Sequence, residues 1–102
     1  MLSQAEHISE LLKSKKEEIQ NRFGIEHLLL YGSYAKGLQN MNSDIDLMYE
    51  MQPTSKMTLR RLEQLEVRIA GLLQMPKVEL VNRKYMNPLV FLEIKEYGIN
   101  IF

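Results

Sequence analysis

Cysteine is absent from the chain, which excludes a disulfide framework and any zinc centre built on thiolates. A surplus of either charge is lacking too. Thirteen Lys and Arg offset thirteen Asp and Glu, so no overall positive field gathers phosphate backbones, and direct nucleic-acid binding is not expected beyond a local basic patch. No apolar run is longer than a few residues, too short for a membrane-spanning helix. The opening MLSQAEHISELLKSKKEEI has no basic stretch followed by an apolar one, so no secretory signal is read and a cytoplasmic protein is expected. Neither internal repeats nor low-complexity linkers interrupt the sequence.

What is present is ordinary for a globular chain: 45% hydrophobic and 25% charged residues, close to average soluble usage. A chain of 102 residues buries roughly 60–70% of its unfolded surface around one modest core. A single domain over 1–102 is therefore expected.

Ser3 and Glu6 have the spacing of a capping box, and Ile8, Leu11, Leu12 and Ile19 follow at near-helical intervals, which predicts a helix from about 4 to 22 closed by Gly24. IEHLLLYG reads as a buried strand. In DIDLMYEM, alternation puts Asp44, Asp46, Met48 and Glu50 on one strand face and Ile45, Leu47 and Tyr49 on the core face. A helix stripe of Leu59, Leu62, Leu65, Ile69, Leu72 and Leu73 follows, stopped by Met75-Pro76. KVELVN predicts a short strand. Asn87-Pro88 predicts an N-cap with proline in the first turn of a helix running through Tyr97, and INIF an edge strand. The fold class expected is α+β (α/β), a small mixed sheet backed by helices; the long segment between the first two strands leaves their relative direction open.

Chemistry concentrates between Gly32 and Asp46. Two aspartates at i and i+2 of a strand point the same way, their alpha carbons about 6.5–7 Å apart, and can converge on hard divalent cations such as magnesium or manganese. By itself such a pair is an ordinary solvated strand end. Gly32-Ser33 adds a glycine where backbone can approach a ligand, and N–H and hydroxyl donors for an anion; by itself that dipeptide is an ordinary turn or N-cap. His7 and His27 have no partner at metal-ligand spacing and read as structural.

The conjunction is more specific than its parts. Ten residues, Tyr34 to Ser43, separate Gly32-Ser33 from Asp44-Ile45-Asp46, and this spacing closely resembles the polymerase-beta-like nucleotidyltransferase superfamily. The long first helix, YGSYAKG, SDIDL and VELV narrow the resemblance to the minimal nucleotidyltransferase (MNT) family, over nearly the whole chain. The resemblance implies the nucleotidyltransferase fold and transfer of AMP from ATP to a hydroxyl, with Gly32 and Ser33 holding the terminal phosphates and Asp44, Asp46 and Glu79 acting as catalytic metal ligands for Mg2+ or Mn2+. Glu79 stands where the family usually has aspartate, an arm longer by roughly 1.3–1.5 Å; on residues alone it also reads as an outward charge on an edge strand. Lys36 lies where many relatives carry arginine, and reads equally as a point charge near phosphates or as loop solvation. Members of the family commonly pair with HEPN-domain toxins, which implies a protein acceptor, with a tyrosine hydroxyl expected, and an antitoxin role within a hetero-oligomer or self-associated assembly. Two alternatives remain: an antitoxin acting by contact alone, and a small-molecule adenylyltransferase.

Overall fold

A computed structural model describes residues 2–102. The chain begins with α1 (Gln4–Ser14) and α2 (Lys16–Phe23), then β1 (Ile25–Tyr31), α3 (Gly32–Lys36) and β2 (Ile45–Met51). After these come α4 (Leu59–Leu73), β3 (Val78–Asn82), a 3-10 turn (Arg83–Tyr85), α5 (Pro88–Tyr97) and β4 (Ile99–Asn100). Strand order in the sheet is β3-β2-β1-β4. β1 is antiparallel to β2 and β4, while β2 and β3 are parallel. The sheet is therefore mixed and backed by helices, as expected, and the direction that the sequence left open is antiparallel.

The single helix expected from 4 to 22 is two helices that meet at Lys15. Ser14 is the cause: its hydroxyl donates to the Leu11 carbonyl at 2.6 Å, occupying the acceptor that the Lys15 N–H would use in a continuous helix. That N–H turns instead to the Leu12 carbonyl, 3.0 Å away. Short polar side chains compete with the helix ladder in this way and bend it. The ends follow the sequence signals. Ser3 Oγ accepts from the Glu6 N–H, and Gly24 closes α2 in the left-handed conformation at φ 71°.

Ile8, Leu12, Ile19 and Phe23 bury one side of the α1–α2 pair against the sheet face formed by Leu28, Leu30, Ile45, Leu47 and Tyr49. α4 covers the same face with Leu65 and Ile69, both fully buried. The expected α4 stripe begins one turn late: Leu59 is 73% exposed, because it is the first helical residue after the N-cap Thr58 and projects beyond the sheet. At the other end Gln74 takes a left-handed conformation before Met75-Pro76, as the residues before a proline leave the helix. Arg68 clamps α4 to α2 through two hydrogen bonds to Glu18, of 2.7 and 2.8 Å.

The opposite face carries Asp46 and Glu50, as expected, but Met48 between them is buried. Met48 pairs across the sheet with Leu29, and the C-terminal end of α5 packs there: a Cβ built on Gly98 would lie 3.0 Å from both Leu29 Cδ2 and Ile94 Cγ2. α5 therefore roofs part of this face, and its Glu93 approaches the Asp46 end. INIF forms the edge strand, and beyond β4 both Ile101 and Phe102 continue backbone pairing with Leu28. Among the described residues no helix is long and apolar enough to cross a membrane.

Candidate active site

β1 ends at Tyr31, and Gly32 opens α3 with φ 75°. Two constraints require glycine there. The backbone lies in the left-handed region that side chains disfavour, and a Cβ would overlap the Asp46 carboxylate, whose Oδ2 is the nearest atom to that position. Ser33 follows in the first turn of α3, where N–H groups have no carbonyl partner inside the helix. Buried Tyr34 anchors this short helix, and Gly37 caps it at φ 72°.

The segment from α3 to β2 is held by its own polar side chains. Asn40 N–H donates to Ser43 Oγ at 2.9 Å, and Asn42 N–H to Asn40 Oδ1 at 2.8 Å. Ser43 therefore shapes the loop that delivers Asp44 to the start of β2.

Asp46 is the centre of the site. Its register neighbours are Tyr31 on β1 and Glu79 on β3, and the pleat puts all three side chains on the face opposite the core. Burial pushes the Asp46 carboxyl up to about 6; a hydrogen bond to Glu79 and the negative charges of Glu79, Asp44 and Glu93 push the same way. Burial also raises the Tyr31 phenol to about 12, reinforced by Asp46, Glu79 and Glu93. These are the signs of a crowded anionic pocket half out of water.

Glu79 is half exposed and has Lys77 Nζ at 3.8 Å. Lys36 is paired with Glu93 of α5 and lies 5.5 Å from the centre of the Tyr97 ring; its charge already has a protein partner. Both histidines are exposed. Tyr31 and Glu93 were not singled out from the sequence. Tyr31 could have been found from its place directly before Gly32, whereas nothing in the spacing of Glu93 connects it to residues about fifty positions earlier.

Among the described residues no group of three or more His, Cys, Asp or Glu side chains stands in a closed metal-ligating arrangement. Asp46 and Glu79 are nonetheless close enough to share a proton, and a carboxylate pair of this kind can hold a hard cation in the proton's place. Magnesium commonly takes only one or two carboxylates and completes its shell with waters and substrate phosphates, so the residues present fit such an ion.

The family model described as "Polymerase beta, Nucleotidyltransferase" matches residues 7–102. The chain belongs to this family. This nucleotidyltransferase is 36% identical over 94 residues to MJ1379 of Methanocaldococcus jannaschii, provisionally named a protein adenylyltransferase, covering 87% of this chain and 89% of that protein. Two solved structures share its fold. One is a toxin-antitoxin with AMP-PNP, at TM-score 0.68 and 21% identity, over 88% of this chain and 72% of the other. The other is a tri-AMPylated Shewanella oneidensis HEPN toxin in complex with its MNT antitoxin, at TM-score 0.63 and 17% identity, over 92% of this chain and 71% of the other.

Proposed function

We propose that this nucleotidyltransferase moves AMP from ATP to a hydroxyl of a partner protein, a HEPN-type toxin, and acts as its antitoxin by doing so. The observation that carries the reading is the seat of Asp46, between Tyr31 and Glu79 and against a glycine that has no room for a side chain. The provisional name of MJ1379 supports a protein acceptor, and the HEPN complex of Shewanella oneidensis supports the partner class.

Asp44, Asp46 and Glu79 are the residues that would hold magnesium or manganese. Bound there, such an ion would neutralise charge developing at the alpha-phosphorus and would lower the pKa of the acceptor hydroxyl. Gly32 and Ser33 offer backbone N–H groups and a hydroxyl to the terminal phosphates. The acceptor oxygen forms a bond to the alpha-phosphorus as the bond to the bridging oxygen breaks and pyrophosphate leaves. The hydroxyl proton leaves to solvent water as that bond forms; the raised proton affinity of Asp46 beside Glu79 belongs to the site without an ion, since a bound cation takes the proton's place. Lys36 is held by Glu93 and reaches phosphates only by exchanging that partner.

Two observations favour a second reading, inhibition of the partner by contact alone: among the described residues the three carboxylates are not gathered into a closed metal site, and Glu79 stands where the family usually has aspartate. Mass spectrometry of a HEPN partner incubated with the protein, ATP and magnesium separates the two. Added AMP that disappears in an Asp44→Ala/Asp46→Ala control supports transfer. An unmodified partner that the double variant still inhibits supports contact alone.

A further inference from the structure

At the far end of the sheet from Asp46 lies a cavity of about 760 Å3, whose lining includes Glu50, Ser55, Lys56, Asn82, Arg83, Lys84 and Tyr85 beside two methionines. Glu50 lies four residues beyond Asp46 on β2, roughly 13 Å of strand, and the two side chains share a sheet face. The cavity is therefore separate from the candidate active site, and its size is that of a small-molecule pocket.

Its wall is prepared for an anion with a flat ring. Arg83 is fixed, with Nη1 on Glu50 at 2.7 Å and the guanidinium 4.9 Å from the Phe91 ring centre. Lys56 and Lys84 have no ion-pair partner among the described residues, so they leave uncompensated positive charge in the cavity. Tyr85 is 76% exposed, and Lys84 Nζ lies over its ring, 5.7 Å from the centre. Asn82 Oδ1 accepts from the Lys84 N–H at 3.0 Å and so sets the 3-10 turn that presents both side chains. An exposed aromatic beside unpaired cations is the combination that stacks a base and neutralises its phosphate.

We propose that this cavity is a second binding site for a nucleoside phosphate, with the phosphate on Lys56 and Lys84 and the base on Tyr85. The nucleotide has two sources with the same chemistry, free in solution or already joined to an acceptor chain. The second source rests on the AMP transfer proposed above; the binding itself does not.

The test uses Asp44→Asn/Asp46→Asn protein, which weakens the first site, and follows backbone amides by NMR during titration with AMP, the dinucleotide pApA, inorganic phosphate and an oligoglutamate peptide. Saturating shifts at Ser55, Lys56, Asn82, Lys84 and Tyr85 with either nucleotide are expected, weakened at least about tenfold in Lys56→Ala/Lys84→Ala and in Tyr85→Leu. These side chains are on the surface, and a dispersed spectrum confirms that each variant is folded. AMP as tight as pApA identifies a free nucleotide, and pApA tighter by about tenfold or more identifies an attached one. No saturating shift, unchanged binding in Tyr85→Leu, or equal affinity for phosphate or oligoglutamate overturns the proposal. None of these readouts depends on AMP transfer, so failure of the proposed reaction leaves them intact.

Discussion

The carboxylate of Asp46 fills the space over Gly32 that a side chain would need, so the strand end carrying Gly32-Ser33 and the strand carrying Asp46 are fitted by the absence of one carbon. Gly32→Ala is expected to act twice. At φ 75° the added Cβ strains the backbone, at a stability cost of more than about 1 kcal/mol, and it drives Asp46 out of place. A displacement of about 1 Å is enough to cost on the order of a hundredfold in rate. Chemical denaturation and partner AMPylation followed by mass measure the two effects. A variant that keeps wild-type transfer would mean that Asp46 works from another position.

The pH behaviour of the unmetallated protein follows from the same residue. The folded-state carboxyl of Asp46 is raised to about 6 from an ordinary 3.8, so the folded chain binds this proton more tightly than the unfolded one. Stability from this group is full below the lower value and is lost as pH rises through the window to the upper one. Asp46→Asn, which keeps the shape without the charge, is expected to stabilise the protein above pH 7 by on the order of 1 kcal/mol, once solvent screening of a half-exposed group is allowed for. Magnesium should pull the Asp46 titration downward. Carboxyl carbon NMR with and without the ion reads both, and an ordinary, magnesium-insensitive titration would contradict the crowded pocket.

Most of the site was legible because it depends on local rules. Glycine before a tight turn, two carboxylates two residues apart, and the strand alternation that turns them outward are all written in neighbouring residues. Direction of the first strand pair, burial of Met48, and the approach of Glu93 to Lys36 and Asp46 were not legible. The first depends on how α3 and the loop after it return the chain beside β1, and the other two on where α5 packs, long-range events that leave no local pattern. The break at Lys15 is an intermediate case: its cause, Ser14, is local, but a serine inside a helical stripe bends the helix only when it turns back to a carbonyl.

Glu79 tests whether the longer arm serves. Glu79→Gln keeps the size and removes the charge, so AMP transfer is expected to fall by about a hundredfold or more, as for loss of a group placed at the reacting centre. The same change removes a negative neighbour of Asp46 and puts an amide N–H within reach of its carboxylate, and the Asp46 carboxyl should titrate lower. A drop in activity without movement of that titration would separate Glu79 from Asp46 and place its effect elsewhere on the sheet.

Ser14→Ala addresses the fold rather than the chemistry. The substitution frees the Leu11 carbonyl from its 2.6 Å bond to the serine hydroxyl, leaves the acceptor to the Lys15 N–H, and adds a stronger helix former at an exposed position. Helix propensity alone favours alanine over serine by about 0.5 kcal/mol, and removing the competing hydroxyl acts in the same direction. We therefore expect a modest rise in thermal midpoint and slower amide exchange at Lys15, with AMP transfer unchanged because Ser14 touches no part of the site. A loss of stability would show instead that the bend is needed: α1 packs against α4 while α2 packs against β1, and a straight helix would then satisfy only one of the two contacts.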